Sequence, residues 1–125
     1  MDEVSKREFF RLDVRLEVEF HRVGAEQSSR MKVDAFDLSE SGLGLRTDQN
    51  LKPGDTLMLT LRPPGFGQIN AEAKVMNVEP DEHEKAKFRA GCKFVAISRR
   101  DQNLIADYIV KVQAERLRWR KKENA

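Results

Sequence analysis

The 125-residue sequence predicts a mainly β protein. Six short antiparallel strands close into a small split-type β-barrel, with a basic N-terminal arm before it and one C-terminal α-helix after it. Three observations carry this reading. Apolar and polar residues alternate in six separate runs, the period of half-buried strands. Turn chemistry separates the runs, and no helical period lies between any two of them, which disfavours a parallel α/β sheet. The period turns helical only in the last quarter. A chain of this length buries roughly two thirds of its extended surface, enough for one ordinary core. The expected divisions are an arm at 1–12, the barrel at 13–98, and a helix with its basic tail at 99–125.

The elements follow in order. Met1 to Leu12 is charge-rich without a clean period and reads as an arm. From Asp13 to Phe20, Val14, Leu16, Val18 and Phe20 alternate with Arg15, Glu17 and Glu19, the first strand. Gly24 to Arg30 is a polar turn. Met31 to Leu38 is the second strand, ended by the turn residues of Asp37-Leu-Ser-Glu-Ser-Gly42. Leu43 and Leu45 mark a short third strand. Lys52-Pro-Gly-Asp55 turns into the fourth, with Leu57, Leu59 and Leu61, and Pro63-Pro-Gly-Phe-Gly67 ends it. Ile69, Ala71, Ala73 and Val75 form the fifth strand. Pro80 to Lys87 is a charged loop before the sixth, with Phe88, Ala90, Cys92, Phe94 and Ala96. Ser98 and Asp101 have the spacing of a capping box. Leu104, Ile105, Tyr108, Ile109 and Val112 then recur at helical spacing, so a helix is expected from Arg99 to about Lys121. Its basic end, with Arg116, Arg118, Arg120, Lys121 and Lys122, suits the helix dipole.

Composition narrows the function. Lys plus Arg is 23 and Asp plus Glu is 21, a net charge of +2. Whole-molecule attraction to a polyanion is therefore not indicated, and any anion site must come from local clustering. The single cysteine, Cys92, excludes a disulfide framework or a cysteine zinc site within one chain; alternating with Phe94, it reads as a buried small hydrophobe. His21 and His83 have no partner at metal-ligand spacing, so no metal site is expected. No apolar run is long enough for a membrane span and the charged N-terminus lacks a leader's apolar region, so a cytoplasmic protein is expected. No nucleophile–base set or P-loop can be assembled, and no cofactor or enzymatic activity is expected. Trp119 lies among arginines and fits either packing or a partner surface.

Two motifs carry chemistry. Arg7-Glu-Phe-Phe-Arg11 is an R-x-x-x-R whose guanidinium forks can pair with phosphate or a guanine edge. Asp37-Leu-Ser-Glu-Ser-Gly42 is a D-x-S-x-x-G. Its carboxylate can accept the guanine N1–H and N2–H, Ser39 can add a bond, and Gly42 permits a positive φ and close ligand approach. Each alone is a weak signal.

In this order, with a strand between them, the two motifs resemble those of the PilZ domain family, bacterial receptors for cyclic di-GMP. Leu51-Lys-Pro-Gly-Asp55 is similar to that family's turn before its middle strands, and Gly91-Cys-Lys-Phe94 to its last strand. Ile105 to Arg116 resembles the C-terminal helix of the PilZ half of flagellar-brake proteins. The resemblance runs from about Lys6 to about Lys121. It implies that Arg7 and Arg11 hold guanine edges and phosphates, that Asp37 and Ser39 bind a guanine, and that Gly42 allows the close turn. Lys6, before the first arginine, is similar to the version that accepts a stacked ligand pair. Asn77 stands where some members place an aromatic over the guanine. The implied function is a receptor in which ligand orders the arm against the barrel. That would change contact with a protein partner: a flagellar motor, a pilus, exopolysaccharide machinery or a regulator, in motility or biofilm formation. Two other readings are a nucleotide-free PilZ-like adaptor and a small barrel that binds nucleic acid. The aromatics are poorly placed for the latter.

Overall fold

A computed structural model describes residues 12–24 and 31–123. Six strands run β1 (Leu12–Arg22), β2 (Met31–Ser39), β3 (Gly42–Thr47), β4 (Thr56–Leu61), β5 (Ile69–Pro80) and β6 (Phe88–Ile97), followed by helix α1 (Arg99–Glu123). They form a closed barrel in the order β1-β2-β3-β6-β5-β4, every neighbouring pair antiparallel. Closure leaves no strand edge open. The mainly β barrel with one terminal helix is the fold that the alternation predicts. Leu12, predicted within the arm, already belongs to β1 and is buried, because its side chain shares the inward phase of Leu16 and Val18. Pro80, predicted to open the charged loop, is the last residue of β5, paired with Phe88.

The inward residues come from the alternating runs, except that Phe88 and Ala96 of the sixth run are exposed, Ala96 because the extra residue Val95 shifts the phase after Phe94. Val18, Leu45, Leu57, Leu59, Leu61, Ile69 and Val75 are at most 1% exposed, so one continuous core fills the barrel. Truncating one of these leucines to Ala should cost about 2–5 kcal/mol. The turn before β4 is made by its own chemistry: Asp55 Oδ2 accepts the Lys52 N–H at 2.8 Å, and Gly54 takes a φ of 97°.

Helix α1 docks on the barrel through its first half. Ser98 Oγ accepts the Asp101 N–H at 3.0 Å, the cap that the spacing predicts. The buried Asp101 carboxylate in turn accepts the Asn70 N–H of β5 at 3.2 Å. Gln102 Nε2 donates to the Glu40 carbonyl in the β2–β3 turn at 3.2 Å. Ile105 and Ile109 enter the core, while Leu104, Tyr108 and Val112 pack at its rim. Beyond Gln113 the side chains are exposed through Lys121. Trp119 is 68% exposed, so the packing alternative for it does not hold. Helix phase explains this: Trp119 continues the Tyr108–Val112 stripe past the point where the barrel ends.

Candidate functional site

A glycine floor between two bulged walls

The pairing shifts register at four places, and two of the shifts, on β2 and β5, build the same cleft. On β2, Ala35 pairs with Leu45 and Asp37 pairs with Gly44, which leaves Phe36 as an extra residue. An extra residue turns two consecutive side chains to one side. Ala35 and Leu38 therefore stay inside, while Phe36 and Asp37 both face outward. On β5, Val75 pairs with Cys92 and Asn77 with Gly91, leaving Met76 extra, so Met76 and Asn77 also both face outward. Between these walls run β3 and β6, where Gly44 and Gly91 are direct register partners. The row Asp37–Gly44–Gly91–Asn77 thus crosses four strands, and its two middle positions carry no side chain of their own, so the Phe36 ring and Asn77 lie down over them. The result is an outer cleft of about 400 Å³.

The glycines are required by what covers them. A Cβ on Gly44 would lie 2.3 Å from Cζ of the Phe36 ring, and one on Gly91 would lie 2.8 Å from Asn77 Oδ1. Asn77 Oδ1 accepts the Gly91 N–H at 3.3 Å.

Charges around the cleft

The outward positions of β6 on either side of Gly91 are Arg89 and Lys93, so two cations flank the floor. The Arg89 guanidinium carbon lies 4.1 Å from the Phe36 ring centroid, and that of Arg46 lies 5.9 Å away. Arg46 is already engaged: its Nε donates to Asp81 Oδ1 at 3.0 Å. Asp81 Oδ2 accepts the backbone N–H groups of His83 and Glu84 at 3.0 and 2.8 Å. Burial pushes the Asp81 carboxyl up, but the Arg46 guanidinium and these two N–H groups outweigh it and hold it at about 2, against an ordinary 3.8. Opposite the cations stand Asp37 and Glu79. Asp37 is also the register partner of Asp13 on β1. Like charges directly opposite each other across strands are unfavourable, and this pairing makes that wall of the cleft strongly acidic. Desolvation, reinforced by Asp37, drives the Cys92 thiol up to about 12, so it holds its proton at neutral pH as a core residue.

Where the sequence-derived residues stand

Asp37 and Gly42 line the cleft, and Ser39 supports it from beneath. Ser39 is buried. Its Oγ accepts the Ser41 N–H at 3.2 Å, lies 3.1 Å from Ser41 Oγ and donates to the Gly42 carbonyl at 3.3 Å, so it fixes the β2–β3 turn. Gly42 does not take a positive φ, contrary to the sequence expectation. Glycine is needed there for space: a Cβ would stand 2.1 Å from the Cys92 carbonyl oxygen. Asn77 lies in the far wall of the cleft. Lys6, Arg7 and Arg11 lie outside the described residues.

Sequence reasoning missed Phe36, Arg89, Ser41 and Met76 as lining residues. The signal for Phe36 was present, since Ala35 and Leu38 cannot both face inward on an unbroken period of two. Arg89 gave none, being one charge among many. His83 is exposed and His21 partly so. No cluster of three or more potential metal ligands occurs among the described residues, and no helix there is long and apolar enough to cross a membrane.

Comparison with known proteins

The PilZ domain family model matches residues 5–111. Among solved structures, the chain is similar to the Bacillus subtilis inhibitor of motility, MotI/DgrA, with a TM-score of 0.75 and 22% identity, covering 87% of this chain and 52% of that one. It is similar to the PilZ domain of Escherichia coli YcgR, solved with c-di-GMP, with a TM-score of 0.69 and 17% identity over 95% of this chain and 98% of that one. It is also similar to the K. pneumonia MrkH–c-di-GMP complex, with a TM-score of 0.69 and 22% identity over 90% and 53%. The chain spans about half the length of the Bacillus and Klebsiella proteins. The comparison with curated proteins gave no match. The six-stranded closed barrel, its terminal helix and a family match over most of the sequence agree: the chain belongs to the PilZ domain family.

Proposed function

We propose that this protein is a bacterial cyclic di-GMP receptor that works by binding and not by catalysis. The observation that carries the reading is the cleft itself. A PilZ barrel presents Asp37 in an outer cleft floored by glycines and flanked by cations, and the chain segment leading into β1 at that wall contains the R-x-x-x-R. Cyclic di-GMP carries two guanines and two phosphates. The Asp37 carboxylate suits a guanine Watson–Crick edge, and guanidinium forks suit phosphates and the guanine O6/N7 edge. Arg7 and Arg11 would close over the ligand against the Asp37–Gly42 turn, with Ser39 holding that turn in shape and Lys6 adjoining. YcgR and MrkH, similar in fold, are described with c-di-GMP bound, which supports the choice of ligand.

Ligand would thereby fix residues 1–11 on the barrel, and the output would be a changed contact with a protein partner. A motility role, by analogy with the Bacillus inhibitor of motility, is the leading pathway. The exposed Leu117 and Trp119 on the basic end of α1 are the surface we assign to that partner. We place the receptor in the cytoplasm. Nucleic acid is a poorer occupant of the cleft, because Asp37 and Glu79 would face its phosphates.

Calorimetric titration of cyclic di-GMP into the full chain tests the reading, with GTP as the specificity control. Binding is expected to be micromolar or tighter, worth at least about 8 kcal/mol. Arg11→Ala should remove about 2–5 kcal/mol of it, leaving little measurable heat. A folded wild-type protein that gives no heat would sink the receptor reading and leave the adaptor reading in its place.

A further inference from the structure

We infer that Arg89, laid against the Phe36 ring, is a base-stacking residue of the cleft, supplying the flat platform that Asn77 cannot. The inference rests on the cyclic di-GMP reading and adds to it a residue that lies in neither sequence motif.

Arg89 is held in an arrangement that costs the free protein stability. Its Nε is buried and has no hydrogen-bond partner. Its cross-strand neighbour on β3 is another cation, Arg46, and like charges directly opposite each other are unfavourable. Arg46 is compensated by Asp81, whereas no ion pair compensates Arg89 among the described residues. Glu79 is its register partner on β5, yet the two make no ion pair. What holds the guanidinium is the ring beneath it, 4.1 Å from its central carbon. That ring is in turn seated over Gly44, where any Cβ would strike it. Gly44, Phe36 and Arg89 thus form a supported stack on one half of the glycine floor.

The chemistry of such a stack is specific. A guanidinium is planar, weakly hydrated and always charged, and its face stacks on aromatic rings. With one face against Phe36, its other face suits a planar heterocycle, and its edge N–H groups suit O6/N7 of a purine or a phosphate. A guanine stacked on Arg89, above the Phe36 ring that covers Gly44, would present its Watson–Crick edge toward Asp37. Lys93, on the other side of Gly91, has no planar group and serves as a point charge for phosphate.

The test compares wild type, Arg89→Met, Arg89→Lys and Arg11→Ala as full chains, by thermal melting and by titration with cyclic di-GMP. Arg89→Met keeps much of the apolar stem against Phe36 and removes the unpartnered N–H. It should melt at or above the wild-type temperature and bind at least about tenfold more weakly. Arg89→Lys keeps the charge without the plane and should also bind weakly, by more than about threefold. Should Arg89→Met fail to fold, Arg89→Lys decides alone. Wild-type-like binding by either folded variant, with Arg11→Ala still defective, would overturn the Arg89 assignment and leave the receptor reading intact. Absence of binding by wild type would overturn both.

Discussion

Asp81 shows how a single buried carboxylate organises the edge of the cleft. It joins Arg46 of β3 to the first turn of the charged loop through one guanidinium and two backbone N–H groups. Arg46 is thereby drawn away from the cleft and Arg89 is left beside it. The depressed Asp81 pKa fixes the sign of a pH effect. A carboxyl held at about 2 when folded, against 3.8 ordinarily, contributes stability that is fully present above the higher value and is lost as pH falls through the lower one. The melting-temperature advantage of wild type over Asp81→Asn should therefore be constant from neutral pH down to about pH 5 and shrink between about pH 4 and pH 2. Thermal melts across that range check it, and an advantage that persists undiminished at pH 2 would contradict the assignment.

At the scale of the elements, the cleft is a product of two bulges and of the glycines between them. Gly42, Gly44 and Gly91 on β3 and β6 leave room on the outer face for the β6 backbone, Phe36 and Asn77. Gly42→Ala is the sharpest test of this packing. Its methyl would stand 2.1 Å from a backbone carbonyl that cannot swing away. A loss of about 1–3 kcal/mol is expected in urea unfolding, with the β2–β3 turn displaced. An unchanged unfolding midpoint would show that the turn has slack which the geometry denies. The six strands were legible in the sequence because burial inside a barrel enforces strict alternation, as Leu57, Leu59 and Leu61 display. The cap of α1 was legible because Ser98 and Asp101 act locally. The cleft was legible only in part. Asp37 and Gly42 sit in a recognisable turn motif, but Phe36 and Asn77 become neighbours of the floor only through register shifts set by long-range pairing. The role of Gly42 was misread for the same reason: its constraint comes from β6, fifty residues later in the chain.

For the whole molecule, the barrel is a rigid frame that separates two surfaces. The cleft lies on the outer face of β2, β3, β6 and β5, next to the point where the chain enters β1. The helix leaves the barrel along the same entry point, where Arg116 donates to the Asp13 carbonyl of β1. Asp13 is also the register partner of Asp37. One wall of the cleft is therefore only one strand from the base of the exposed helix end, which under the proposed function would be a short route from ligand to partner. The account stands on the cleft being the ligand site, and amide NMR spectra recorded during addition of cyclic di-GMP test that most directly. The backbone amides of Gly44 and Gly91 and the side-chain amide of Asn77 should shift strongly and saturate together. Those of Leu57, Leu59 and Leu61 on β4, which lies outside the cleft, should stay in place. Saturable shifts confined to β4 or to the far end of α1, with Gly44 and Gly91 unmoved, would contradict it.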